Sequence, residues 1–65
     1  LAPVLVANAR RIAAAVSCPR GHLLLAGILT EQFDDVAATY TALGFRELDR
    51  ITEAEWTSGL FVTSP

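Results

Sequence analysis

The sequence predicts an α/β unit laid out as helix, strand, helix and antiparallel hairpin, and three observations carry that prediction. After Gly21-His22 comes an unbroken apolar run, Leu23-Leu24-Leu25-Ala26-Gly27-Ile28-Leu29, which leads straight into Thr30-Glu31-Gln32-Phe33. Phe33, Val36, Ala37, Tyr40 and Leu43 then recur at helical spacing. Two strand-like stretches, Phe45 to Ile51 and Trp56 to Thr63, are separated only by Thr52-Glu53-Ala54-Glu55, the spacing of a hairpin. The apolar run does not alternate with polar residues, so both its faces are expected to be covered, as in the centre of an α/β sheet. Ligands of such sheets gather at the carboxyl ends of the strands, here Ala26 to Thr30.

The first element reads as a helix from Pro3 to Val16. Pro3 suits a first turn, and Leu5, Ala9, Ile12, Ala13 and Val16 share one face. Asn8, Arg10 and Arg11 lie away from that face, where the two arginines read as a solvated surface rather than an anion site. Ser17-Cys18-Pro19-Arg20-Gly21 ends the helix and turns the chain. Cys18 reads as a turn residue, because a nucleophile needs a positioned base and an orienting group. His22 opens the strand at the end away from the ligand edge.

In the second helix Thr30 is placed to act as N-cap. Glu31, Asp34 and Asp35 put negative charge where the helix dipole favours it, so these acids need no metal to account for them. Gly44 fits the left-handed position after the helix, with Phe45 folding back on Tyr40. Arg46, Glu47, Asp49 and Arg50 surround Leu48, the kind of charge that protects an edge strand. Gly59 inside the last strand marks either a bulge or a close backbone approach.

Size and composition limit what the chain does by itself. It has 65 residues, 52% of them hydrophobic, with a mean hydropathy of +0.42. A domain this small buries only about 60% of the surface its unfolded chain exposes. Cys18 and His22 are the single cysteine and histidine, so neither a disulfide framework nor a His/Cys metal cluster supports it. An apolar strand covered on both sides needs more chain than is present, so the sequence is expected to be a fragment of a larger domain. Leu1-Ala2-Pro3 reads as an internal start and not as a signal peptide. The net charge of −2 without a basic patch argues against nucleic-acid binding. No apolar stretch approaches the roughly 20 residues of a membrane span. One unpaired cysteine points to a reducing cytoplasm.

At Ala26-Gly27-Ile28-Leu29, Gln32, Val36, Tyr40, Gly44-Phe45 and Glu55-Trp56 the chain resembles a known family. It is similar to the C-terminal part of the S-adenosylmethionine-dependent lysine methyltransferases of large-subunit ribosomal protein eleven. Pro19-Arg20-Gly21 stands where members usually carry Pro-Gly-Gly, and Ala26 where they usually carry Ser. The resemblance implies the C-terminal part of a Rossmann-like class I methyltransferase sheet, in which the last strand inserts antiparallel between the fifth and sixth. It also implies S-adenosylmethionine as cofactor of the full-length parent and a ribosomal protein as its substrate.

Cofactor binding in such a fold needs a glycine-rich loop and a ribose-binding acid. Gly21, Gly27, Gly44 and Gly59 lack that spacing, so no catalytic, cofactor-binding or metal residue is assigned here. What remains is a wall of the substrate pocket at Gly27, Ile28, Leu29 and Thr30. The fragment is expected to be inactive alone and to self-associate, by pairing of its exposed strand edge or by exchange of the first helix. Two other readings stay open: the tail of a methyltransferase with a small-molecule acceptor, and a non-enzymatic α/β interaction module.

Overall fold

The computed structural model describes residues 1–16 and 21–63, so the expected turn at Ser17 to Arg20, with Cys18, lies outside the described residues. Six elements follow one another: α1 (Ala2–Ala7), α2 (Ala9–Ala15), β1 (His22–Leu29), α3 (Thr30–Ala42), β2 (Phe45–Glu53) and β3 (Trp56–Thr63). The strands form a three-stranded sheet in the order β1-β3-β2. The last strand lies in the middle, antiparallel to both neighbours.

The single helix expected from Pro3 to Val16 is divided at Asn8, which has φ −106° and ψ 12°. Asn8 Nδ2 donates to the Val4 carbonyl at 2.9 Å, and the Asn8 backbone N–H reaches the same carbonyl at 3.0 Å. A short polar side chain that competes for a backbone acceptor loosens a helix interior in this way. Ile12 N–H on the Asn8 carbonyl, at 3.0 Å, carries the path across the break. The face is as the spacing predicts: Ala9 is buried, and Leu5, Ile12, Ala13 and Val16 pack against the core. Arg10 and Arg11 are exposed.

In α3, Phe33, Val36, Ala37 and Tyr40 are buried, while Leu43, the last residue of the stripe, is only half-buried at the C-cap. Gly44 has φ +100°, and its N–H bonds the Thr41 carbonyl at 3.1 Å, one bond of a Schellman ending. The Phe45 and Tyr40 rings meet edge-on with centroids 6.0 Å apart. At the other end the expected N-cap is corrected. Leu29 holds the cap position without a side-chain bond, and Thr30 is already helical.

The hairpin turn is also tighter than expected. Thr52 and Glu53 pair with Thr57 and Trp56, which extends β2 and leaves only Ala54-Glu55 in the turn. Ala54 takes φ +53° there.

Each outer strand carries one extra residue against β3. In β1 the irregularity lies between Leu25 and Ile28, and in β2 between Glu47 and Asp49. Gly27, at φ +68°, sits in the first. Glycine in the left-handed region is one way a strand accepts a bulge. Gly59 marks the close approach: a Cβ there would collide with the Phe33 ring and lie 3.0 Å from Phe61 Cε1.

The expectation that β1 is covered on both faces is not met among the described residues. α3 touches all three strands, and α1 and α2 pack on α3. The other face carries Leu24 at 67% exposure, Ile51 at 61% and Trp56 at 49%. The missing alternation in the sequence thus reflects one buried face and one bare apolar face. At the sheet edges, β2 carries Arg46, Glu47, Asp49 and Arg50, and β1 carries no Asp, Glu, Lys or Arg.

Two predictions follow from this packing. Gly59→Ala is expected to lower stability by about 1–3 kcal/mol, the range for overpacking a filled core, measured by denaturant unfolding. Tyr40, the chain's single tyrosine, has no exposed surface and donates its hydroxyl to the Leu5 carbonyl at 3.0 Å. Tyr40→Phe should therefore cost about 1 kcal/mol near neutral pH. Burial also pushes this phenol above its ordinary 10.0. The unfolded chain ionises first, so the associated stability is present below pH 10 and is lost as pH rises through the folded value. Unfolding midpoints should fall above that pH in the unmodified chain and less steeply in Tyr40→Phe.

Candidate functional site

At the carboxyl end of β1 a shallow cleft of about 360 Å³ is lined by Leu29, Thr30, Glu31 and Glu55. It forms because β1 passes into α3 without a linker, while the β2–β3 turn folds up against the junction. Thr30 N–H donates to the Glu55 carbonyl at 2.7 Å and fixes turn to helix start.

The Thr30 hydroxyl is not spent on the helix. It lies 2.7 Å from Thr57 Oγ1, which in turn lies 2.9 Å from Thr52 Oγ1. Thr57 is 1% exposed, so its hydroxyl needs a protein partner. Leaving it unsatisfied costs about 1–3 kcal/mol. A side-chain N-cap is worth about 1 kcal/mol. The Thr30 hydroxyl is engaged with Thr57 and Leu29 holds the cap position, so the expected side-chain cap does not form.

Of the four residues expected to form a pocket wall, the structure brings Leu29 and Thr30 into the cleft. Ile28 is fully buried in the core below, and exposed Gly27 shapes the bulge that turns Ile28 inward. Glu31 and Glu55 line the cleft as well. Sequence reading gave Glu31 only to the helix dipole and left Glu55 in a connection. Thr52 and Thr57 carried no local signal, because the Thr30–Thr57 contact crosses 27 residues of chain and the Thr52–Thr57 contact crosses 5.

The nearby charges are tied up elsewhere. Arg50 Nη1 donates to Asp34 Oδ1 at 2.8 Å, and its Nε and Nη2 hold the Glu47 carboxylate at 2.8 and 2.9 Å. Its guanidinium stands 4.5 Å from the centre of the Phe33 ring. Hydrogen bonds to Glu47, then to Asp34, hold Arg50 above its ordinary pKa. Asp34 is thus an ion-pair partner of β2. No group of three His, Cys, Asp or Glu residues able to hold a metal occurs among the described residues. None of the described helices is long and apolar enough to cross a membrane, which says nothing of a β-barrel.

A strand running without a linker into a helix, with a cleft at its carboxyl end, accords with what sequence comparison finds, which is a class of methyl-transferring enzymes. The family model described as ribosomal protein L11 methyltransferase (PrmA) matches residues 1–63, and the chain belongs to that family. No curated protein matches it.

The family implies S-adenosylmethionine in the parent enzyme. The residues described here do not fit that group, because each glycine has another task. Gly21 bonds Thr63 through its N–H and its carbonyl, Gly27 makes a bulge, Gly44 ends α3 and Gly59 lies under Phe33.

Gly27→Ala tests how far the bulge shapes the site. Among the described residues, no atom beyond the two chain neighbours lies within 4 Å of the added methyl, so the expected loss comes from the backbone. Holding an L-residue in the left-handed region costs roughly 1–2 kcal/mol, and denaturant unfolding should show that loss.

Proposed function

We propose that this chain is the C-terminal part of a Rossmann-like class I methyltransferase catalytic domain. The whole enzyme transfers a methyl group from S-adenosylmethionine to lysine amines of large-subunit ribosomal protein eleven. The observation that carries the reading is β3 running antiparallel between β1 and β2, in a chain whose family match spans residues 1–63. Such a sheet closes the seven-stranded methyltransferase fold, with β1, β2 and β3 as its fifth, sixth and seventh strands. The bare apolar face and the uncharged edge of β1 support it too, since both have cover in a larger sheet.

In this reading Gly27, Ile28, Leu29 and Thr30 are one wall of the acceptor pocket. Ile28 anchors the wall from the core, and Leu29 and Thr30 meet the substrate. Transfer would need the acceptor amine held in place, and positioning supplies much of such a rate. The cofactor cradle and the catalytic groups belong to the rest of the enzyme, so the segment alone is inert. The enzyme works in the cytoplasm on a protein and makes no direct contact with nucleic acid. Cut from its neighbours, the segment self-associates through the β1 edge, because unpaired strand edges template pairing.

Transfer of labelled methyl groups to the ribosomal protein by the full-length enzyme, and not by this chain, is the expected outcome. Calorimetry of this chain with S-adenosylmethionine should give no specific heat, and micromolar binding would overturn the assignment. Sedimentation over a concentration series should show a dimer or larger species. A compact monomer at high micromolar concentration, with the β1 edge protected from hydrogen exchange, would show that the chain covers that edge itself.

A further inference from the structure

The three threonine hydroxyls at the cleft form a series with a direction. A hydroxyl donates one proton and accepts through its lone pairs. The Thr57 hydroxyl has Thr30 on one side and Thr52 on the other, at 2.7 and 2.9 Å. Its proton goes to one of them, and it accepts from the other. When Thr57 donates to Thr52, Thr30 donates inward and its lone pairs are left for a ligand N–H. When Thr57 donates to Thr30, the Thr30 proton is left over and points to an acceptor. Thr52, exposed and outside the cleft lining, is thus coupled through Thr57 to the hydrogen-bonding character of Thr30 inside it.

We infer that Thr57 and Thr52 are positioning residues that hold Thr30 as a hydrogen-bond acceptor for the substrate's amino group. This rests on the reading of the Gly27–Thr30 segment as a wall of the acceptor pocket. An amine awaiting methylation turns its lone pair toward the incoming carbon and leaves its N–H groups for the pocket wall. A hydroxyl with its proton directed inward meets that need, and the Glu31 and Glu55 side chains beside it suit an amino rather than an acidic substrate. Neither Thr57 nor Thr52 touches the substrate, and both act through Thr30.

The test uses the full-length enzyme carrying Thr52→Val, Thr57→Val or Thr57→Ser. Its readouts are steady-state kinetics on the ribosomal protein and, without turnover, calorimetric binding of a lysine-bearing peptide from that protein. Thr52→Val removes the acceptor for the Thr57 proton, which then turns to Thr30 and sets a proton against the amine. KM and the peptide Kd should both rise roughly fivefold, as for one lost hydrogen bond. kcat should stay within about twofold, the pattern of lost uniform binding. Thr57→Val should do the same, and Thr57→Ser, which keeps the hydroxyl, should restore the wild-type values. Should Thr57→Val fail to fold, Thr52→Val at its exposed position decides the matter. Unchanged KM and Kd in Thr52→Val, with lysine methylation intact, would overturn the inference and reduce the threonines to a structural staple. A wild-type enzyme that methylates no lysine would instead overturn the functional reading beneath it.

Discussion

The structure depends on how closely α3 lies on β3. The Phe33 ring occupies the space that a side chain at position 59 would need, and only glycine leaves that space empty. From this contact the rest of the core is ordered. Phe33 stacks on Phe61 with centroids 6.3 Å apart, and Tyr40 tilts against Phe61 at 6.3 Å and meets Phe45 edge-on. Aromatic pairs of this kind add about 0.5–1.5 kcal/mol each beyond the area they bury. Arg50 stands over the same Phe33 ring, and the Tyr40 hydroxyl reaches out to fasten α1. Helix, hairpin and N-terminal segment thus converge on one strand position without a side chain.

Much of this was legible in the residues. The stripe Phe33-Val36-Ala37-Tyr40 is the buried face of α3, Gly44 takes the left-handed backbone, and the charges of β2 lie on an edge strand. Local chemistry determines each of these features. What stayed hidden depends on contacts between distant segments. Whether Leu24 is inside or outside is decided by where the helices sit, and an unbroken apolar run is silent on that. The site was half legible. Glycine at 27 flagged a special backbone, but the threonine series joins three elements and leaves no pattern in any one of them. Arg50 read as an edge charge, whereas its pairing opposite Gly59 turns it toward α3 and Asp34.

The cleft and the core are separate consequences of one junction. β1 gives its last inward residue, Ile28, to the core and its next two to the cleft, so the site rests on a fully buried support. The bond from Thr30 N–H to Glu55 ties the same junction to the hairpin turn. Elements placed this way hold the cleft in shape without help from a ligand.

The paired irregularities in β1 and β2 have a consequence for how this chain tolerates change. Before each, odd-numbered residues face the helices: Leu23 and Leu25 in β1, Phe45 and Glu47 in β2. After each, even-numbered residues do: Ile28, Arg50 and Thr52. β3 keeps one parity throughout, with Thr57, Gly59 and Phe61 inward. Side chains in a strand alternate with period 2, so each bulge acts as a phase slip that brings its neighbours back into step with the centre. Strand length near the cleft is therefore quantised. Losing a single residue between Leu25 and Ile28 would remove the bulge and leave Ile28 in step with Thr57, whereas losing two would exchange inside for outside at the cleft.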